Sequence, residues 1–165
     1  MNDLTCADDC VLRAVDEYSD TIYRVALNIT KTSDDAFDVC QDVFVRLIKN
    51  KHKIKNGEHL KAWLIHTAVN CSKSFVTSPH IRRCVPLDEA QNKSVSDVTG
   101  DIDLFEAVNS LSSKYSVAVY LFYYEDMKLS DIAKVLNITE SAVKSRLRRA
   151  RKMLKLIIEK EKSYD

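Results

Sequence analysis

Two glycines and two prolines are the only strong backbone punctuation in 165 residues. Gly57, Gly100, Pro79 and Pro86 cannot supply the many tight turns that a β-sandwich or barrel requires, because such turns depend on left-handed or φ-locked residues. The sequence therefore predicts an all-α fold. Its length suits one ordinary domain or two small ones, each needing its own compact core.

Apolar periodicity places the helices. Val11, Val15, Tyr18, Ile22, Val25 and Ile29 recur at three- and four-residue steps and predict a helix from about Cys10 to Ile29. Thr32 and Ser33 are cap candidates for a second helix, with Asp34 and Asp35 placed at the positive end of its dipole. Its predicted inward stripe is Phe37, Cys40, Phe44 and Leu47, widened by Val43 and Ile48. A third helix is expected from about Glu58 to Phe75, with Leu60, Leu64, Ala68, Cys71 and Phe75 inward.

The pattern then stops. The polar run through residues 77–101 offers too little apolar surface to offset the entropy of ordering it, and is read as a flexible linker. Periodicity resumes at Ile102, Phe105 and Val108 and continues through Tyr115, Val119 and Phe122. Two different helical domains, 1–76 and 102–165, are expected on either side of the linker.

Charge separates the same two halves. The formal net charge is +1, yet residues 1–42 hold ten acids against three bases, while seven bases and no acid lie between Lys144 and Lys155. Salt screens exposed charges beyond about 8 Å, so partners respond to the local patch and not to the total. The two ends are expected to meet different partners. No run approaches the ~20 apolar residues that span a bilayer, which predicts a soluble, cytoplasmic protein without membrane insertion.

Enzymatic motifs are missing from the sequence. There is no glycine-rich phosphate loop, no GxSxG element and no HExxH arrangement among His52, His59, His66 and His80. Five cysteines without CxxC spacing support neither a disulfide framework nor a zinc site. Cys40 and Cys71 read as small core residues. Cys6 and Cys10 are spaced i, i+4 but would give only two of the four ligands that zinc takes. The expectation is a non-enzyme with no metal or cofactor.

The basic segment completes a helix-turn-helix. Residues 129–136 read as a short helix with Ser130 as N-cap and Ile132, Ala133 and Leu136 inward. Asn137 suits a left-handed helix end, and Thr139 can cap a second helix whose inward stripe is Val143, Leu147, Ala150 and Leu154. On that helix Ser141, Lys144, Ser145 and Arg148 form a polar stripe suited to the floor of a DNA major groove, while Arg146, Arg149, Arg151 and Lys152 suit its phosphate walls. A merely solvated amphipathic helix explains most charge runs. It would leave the capped preceding helix, the three-residue corner and the acid-free flanks without a purpose.

Residues 114–152, ending V143-K-S-R-L-R-R-A-R151, resemble region 4 of the sigma-70 family of bacterial transcription initiation factors, in its small extracytoplasmic-function (ECF) branch. D35-A-F-D-V-C-Q-D-V-F-V-R-L47 is similar to region 2.2, and K61-A-W-L-I-H-T-A-V-N70 to the start of the promoter-melting helix. The resemblance covers most of the chain in the family's order. It implies a sigma factor that binds core RNA polymerase, through the β′ coiled coil and the β flap, and directs it to promoter DNA.

By the same resemblance, Asp38, Gln41 and Asp42 would dock on the polymerase. Trp63, Asn70, Lys73, Arg82 and Arg83 would serve −10 recognition and melting, with His66 assisting, and the recognition-helix residues would read the −35 element. Leu64 stands where primary sigma factors carry an aromatic, and Val69 where the family is usually basic. An anti-sigma factor is a further partner expected at the family level. The competing reading is a helix-turn-helix regulator acting without polymerase, which would need a sensing or receiver domain whose alternating strand and helix pattern the sequence lacks.

Overall fold

The computed structural model describes residues 3–78 and 103–163, with side chains from residue 9 onward. Among the described residues every regular element is helical. The chain divides into two compact units, Met1–Thr77 and Ser78–Asp165.

The first unit is a three-helix bundle of α1 (Asp3–Thr30), α2 (Ser33–Asn50) and α3 (Gly57–Thr77), each packed against the other two. Helix α1 ends at Lys31, which takes the left-handed conformation at φ 67° and donates its N–H to the Leu27 carbonyl at 2.9 Å. Thr32 follows directly as N-cap of α2, its hydroxyl accepting from the Asp35 N–H at 3.3 Å. Asn56 starts α3 in the same manner, with Oδ1 accepting from the His59 N–H at 2.9 Å. These local bonds satisfy helix-end donors that would otherwise lack partners.

Ile22, Val25 and Ala26 of α1, Ala36, Val39, Val43 and Leu47 of α2, and Leu64, Ile65, Ala68 and Val69 of α3 form the core. The phase of α2 differs from the sequence expectation. Phe37 and Ile48 are 57% and 53% exposed, Phe44 is half-buried, and Val39 is inside. Apolar residues surround nearly the whole of this helix, so periodicity could not choose the inward face. Packing against α1 and α3 chooses it.

The second unit consists of α4 (Leu104–Ser110), α5 (Ser113–Val119), a π-helical turn Tyr120–Tyr124, α6 (Leu129–Leu136) and α7 (Glu140–Lys162). Its core joins Val108, Val117, Leu121, Ile132, Leu136, Val143, Leu147 and Ala150. The fully buried Tyr120 ring stacks on Tyr124 at 5.2 Å and meets Phe105 edge-on at 6.3 Å. Its hydroxyl donates to Glu125 at 2.9 Å, which gives the one polar atom of that ring a partner.

Ser130 is not the cap of α6. The helix begins at Leu129, and the N–H groups of Asp131 and Ile132 both bond the Lys128 carbonyl at 3.0 Å. Half-buried Leu129 is drawn against the core, which winds the helix two residues earlier than a polar cap at Ser130 would.

Candidate nucleic-acid interface

The recognition corner is built by backbone chemistry. Asn137 sits at φ 55° and ψ 49°, the Ile138 N–H reaches back to the Ala133 carbonyl at 3.0 Å, and the Asn137 N–H reaches the Lys134 carbonyl at 3.3 Å. That pair of bonds is a Schellman motif with asparagine in the left-handed position. Thr139 then caps α7 by accepting from the Ala142 N–H at 3.1 Å. The corner fixes the direction in which α7 leaves α6, and with it which side chains point outward.

Val143, Leu147 and Ala150 are buried, and Leu154 is half-buried. With ~100° per residue, Ser141, Lys144, Ser145, Arg148 and Lys152 fall on the side opposite this stripe. All are exposed except Ser145, which is half-buried. Arg149 and Arg151 lie about 80° to either side of the ridge. Both are exposed. Arg146 is set apart, half-buried near the edge of the core stripe.

A tyrosine bonds one of the flanking arginines. The Arg151 Nη1 donates to the Tyr123 hydroxyl at 3.0 Å. The Tyr115 phenol is held below its ordinary pKa, chiefly by hydrogen bonding to Arg149 and then to Lys114, whose ammonium lies 4.8 Å from the ring centroid. Between α4 and the C-terminal half of α7 an apolar groove of about 680 Å³ opens, lined by Leu104, Val108, Val119, Tyr123, Leu154 and Ile158. Arg151, Lys155, Glu159 and Lys162 line it as well. Sequence reasoning missed this groove, because Leu104 and Ile158 are ordinary apolar positions until the helices are set in space.

In the first unit, Asp38, Gln41 and Asp42 are all exposed on α2. Asp42 Oδ2 accepts from Arg46 Nε at 3.1 Å. The Cys71 thiol is pushed up to about 11 by burial first and by Asp42 second. Phe37, Gln41, Val45 and Ile48 follow one another at i, i+4, i+8 and i+11, so the acids border an exposed apolar strip. The face is amphipathic and not simply acidic.

On α3, Trp63, His66, Asn70 and Lys73 share one face at i, i+3, i+7 and i+10. Trp63 is half-buried and the other three are exposed. The Asn70 Nδ2 lies 3.3 Å from His66 Nδ1. Leu64 and Val69 are fully buried, which accounts for an aliphatic residue at both places. Arg82, Arg83, Cys6 and the proposed linker from residue 79 onward lie outside the residues described here in side-chain detail. Among the described residues no cluster of three or more His, Cys, Asp or Glu side chains is placed to hold a metal. None of the described helices is long and apolar enough to cross a membrane.

Two family models match the chain, Sigma-70 region 2 over residues 14–79 and Sigma-70 region 4 over residues 102–154. The chain is 28% identical over 153 residues to RNA polymerase sigma factor SigV of Bacillus subtilis (strain 168), covering 92% of each. It is 27% identical to ECF RNA polymerase sigma factor SigM of the same organism, covering 85% of this chain and 90% of that one. Among solved structures, the sigma factor RpoE, crystallised with the anti-sigma factor NepR from Bartonella quintana, superposes with a TM-score of 0.71 at 24% identity, over 89% of this chain and 95% of that one. CnrH in complex with the cytosolic domain of CnrY gives 0.62 at 18% identity, over 92% and 89%. These two likenesses speak to the fold. With both family regions matched in order and sigma factors similar over nearly the whole length, the chain belongs to the sigma-70 family, in its extracytoplasmic-function branch.

Proposed function

We propose that this protein is a transcription initiation factor that binds core RNA polymerase in the cytoplasm and directs it to specific promoters. The observation that carries this reading is the occurrence of both family regions in one chain, region 2 before region 4. The chemistry of RNA synthesis belongs to the polymerase, and the factor supplies recognition.

The α2 face around Asp38, Gln41 and Asp42 docks on the β′ coiled coil. Its exposed Phe37, Val45 and Ile48 add apolar area to carboxylates that alone would give only screened, salt-sensitive attraction. The α3 face, with Trp63, Asn70 and Lys73, addresses the opened −10 strand, joined by Arg82 and Arg83. Helix α7 enters the major groove at the −35 element with Ser141, Lys144, Ser145 and Arg148 over the base edges and Arg149, Arg151 and Lys152 toward the phosphates. Arg146, being half-buried at the back of the helix, has the weakest claim among these. The groove beside Leu104 and Ile158 is the surface of this unit suited to the β flap. The solved structures of RpoE and CnrH hold partners, an anti-sigma factor in the first case, and an anti-sigma factor is proposed to restrain this chain as well.

The test is in vitro transcription with purified core polymerase from a related bacterium on fragmented DNA of the source genome, with and without this protein. Discrete start sites that require the protein are expected. Neither protein-dependent initiation nor binding to core polymerase would refute the reading.

A further inference from the structure

The ridge on α7 accounts for base-edge contacts, but it does not explain why Arg151 beside it is tied to a tyrosine from the preceding segment. Tyr123 lies in the π-helical turn, and Arg151 is 28 residues from the hydroxyl it bonds. Tyr123 is 49% exposed, so the bond does not satisfy a buried phenol. The Tyr123 ring packs edge-on against Phe122 with centroids 4.9 Å apart. Its hydroxyl is not needed to build the core.

We infer that Tyr123 is a positioning residue that holds Arg151 as a phosphate clamp beside the DNA-reading ridge of α7. The inference rests on the reading of α7 as a DNA-binding helix. A helix lying in a major groove about 12 Å wide has a phosphate wall on each side, and arginines about 80° to either side of its reading face are aimed at those walls. A guanidinium has five N–H donors. One spent on a phenol leaves four for phosphate oxygens, and the tether removes part of the rotamer entropy that a free arginine would lose on binding. Tyr123 thus acts through Arg151 and need not touch DNA.

The probe is a random-sequence DNA duplex, because phosphate contacts are independent of sequence, and the full chain is titrated from about 50 to 200 mM salt. Arg151→Ala is expected to lower the slope of log K against log salt by about 0.9. Tyr123→Phe keeps the ring and should weaken binding by about two- to tenfold. In the Arg151→Ala background Tyr123→Phe should have no further effect. Circular dichroism of the variants checks that the helices persist.

If Tyr→Phe leaves affinity unchanged, or weakens binding equally when its arginine is absent, the positioning role is overturned. Arg148→Ala, assayed on a promoter duplex, serves as the control for the underlying reading. Promoter binding that Arg148→Ala weakens, together with a flat Tyr123–Arg151 cycle, would remove this inference alone. Absence of DNA binding by the unaltered chain would remove both.

Discussion

At the scale of single residues, the left-handed positions show what a glycine-poor sequence does at its helix ends. Lys31, Asp126 and Asn137 have φ of 67°, 52° and 55°. Asn137 was legible in the sequence, because asparagine tolerates this region and stands between two apolar periodic runs. Lys31 was not, since nothing in a lysine side chain favours it; the two-residue turn between α1 and α2 imposes the conformation. That turn also half-buries the side chain, and burial pulls the Lys31 ammonium down to about 8 from 10.5. Between those values the unfolded chain holds a proton that the folded chain lacks, so this group makes stability rise with pH across that window and costs stability below it. Cys40 and Cys71 act oppositely. Burial raises both thiols to about 11 from 9.0, so the stability they contribute is present below pH 9 and is lost as pH rises toward 11. Lys31→Met removes the lysine contribution alone. The variant should exceed the unaltered protein in urea midpoint by the widest margin below pH 8, with the difference shrinking as pH approaches 10.5. A difference that does not vary with pH would show that Lys31 is not desolvated in the fold.

At the scale of elements, α7 and α2 differ in how much of them the sequence revealed. In the first half of α7 the apolar positions are few and spaced at helical intervals, so the inward stripe Val143, Leu147 and Ala150 and the polar ridge opposite are legible in the sequence. What stayed hidden was the bond between Tyr123 and Arg151, because a contact across 28 residues leaves no periodic trace. In α2, eight of the twelve residues from Phe37 to Ile48 are apolar, and two of those assigned inward, Phe37 and Ile48, face out. The reversal carries a consequence for binding. Leu47→Ala should destabilise the first unit by about 2–5 kcal/mol, as for other buried leucines. Ile48→Ser, one residue later, should change stability by no more than about 0.5 kcal/mol because the side chain already meets water. If α2 is the polymerase-docking helix, Ile48→Ser should nevertheless weaken binding to core polymerase. Chemical denaturation alongside a polymerase-binding titration separates the two effects, and a strongly destabilised Ile48→Ser would mean that Ile48 packs inward.

At the scale of the whole molecule, the near-zero net charge is the sum of two opposed surfaces carried on separate compact units. Each unit has its own core, so altering one surface need not disturb the fold that presents the other. Effects at sites that share no partner usually add to within about 0.5 kcal/mol. Arg148→Ala is expected to cost about 1–3 kcal/mol of promoter binding, with relaxed preference at one position, while leaving affinity for core polymerase unchanged. Replacing Asp38, Gln41 and Asp42 together by alanine is expected to do the reverse. It should weaken polymerase binding and steepen no salt dependence toward DNA, and once enough polymerase is added to saturate the variant, promoter affinity should return to that of the unaltered protein. Combining all four substitutions should give the sum of the two separate losses in free energy. A shortfall or excess larger than about 1 kcal/mol would mean that polymerase docking changes how α7 is presented to DNA. In that event recognition would be a property of the assembled holoenzyme, and the two surfaces could no longer be treated as independent modules.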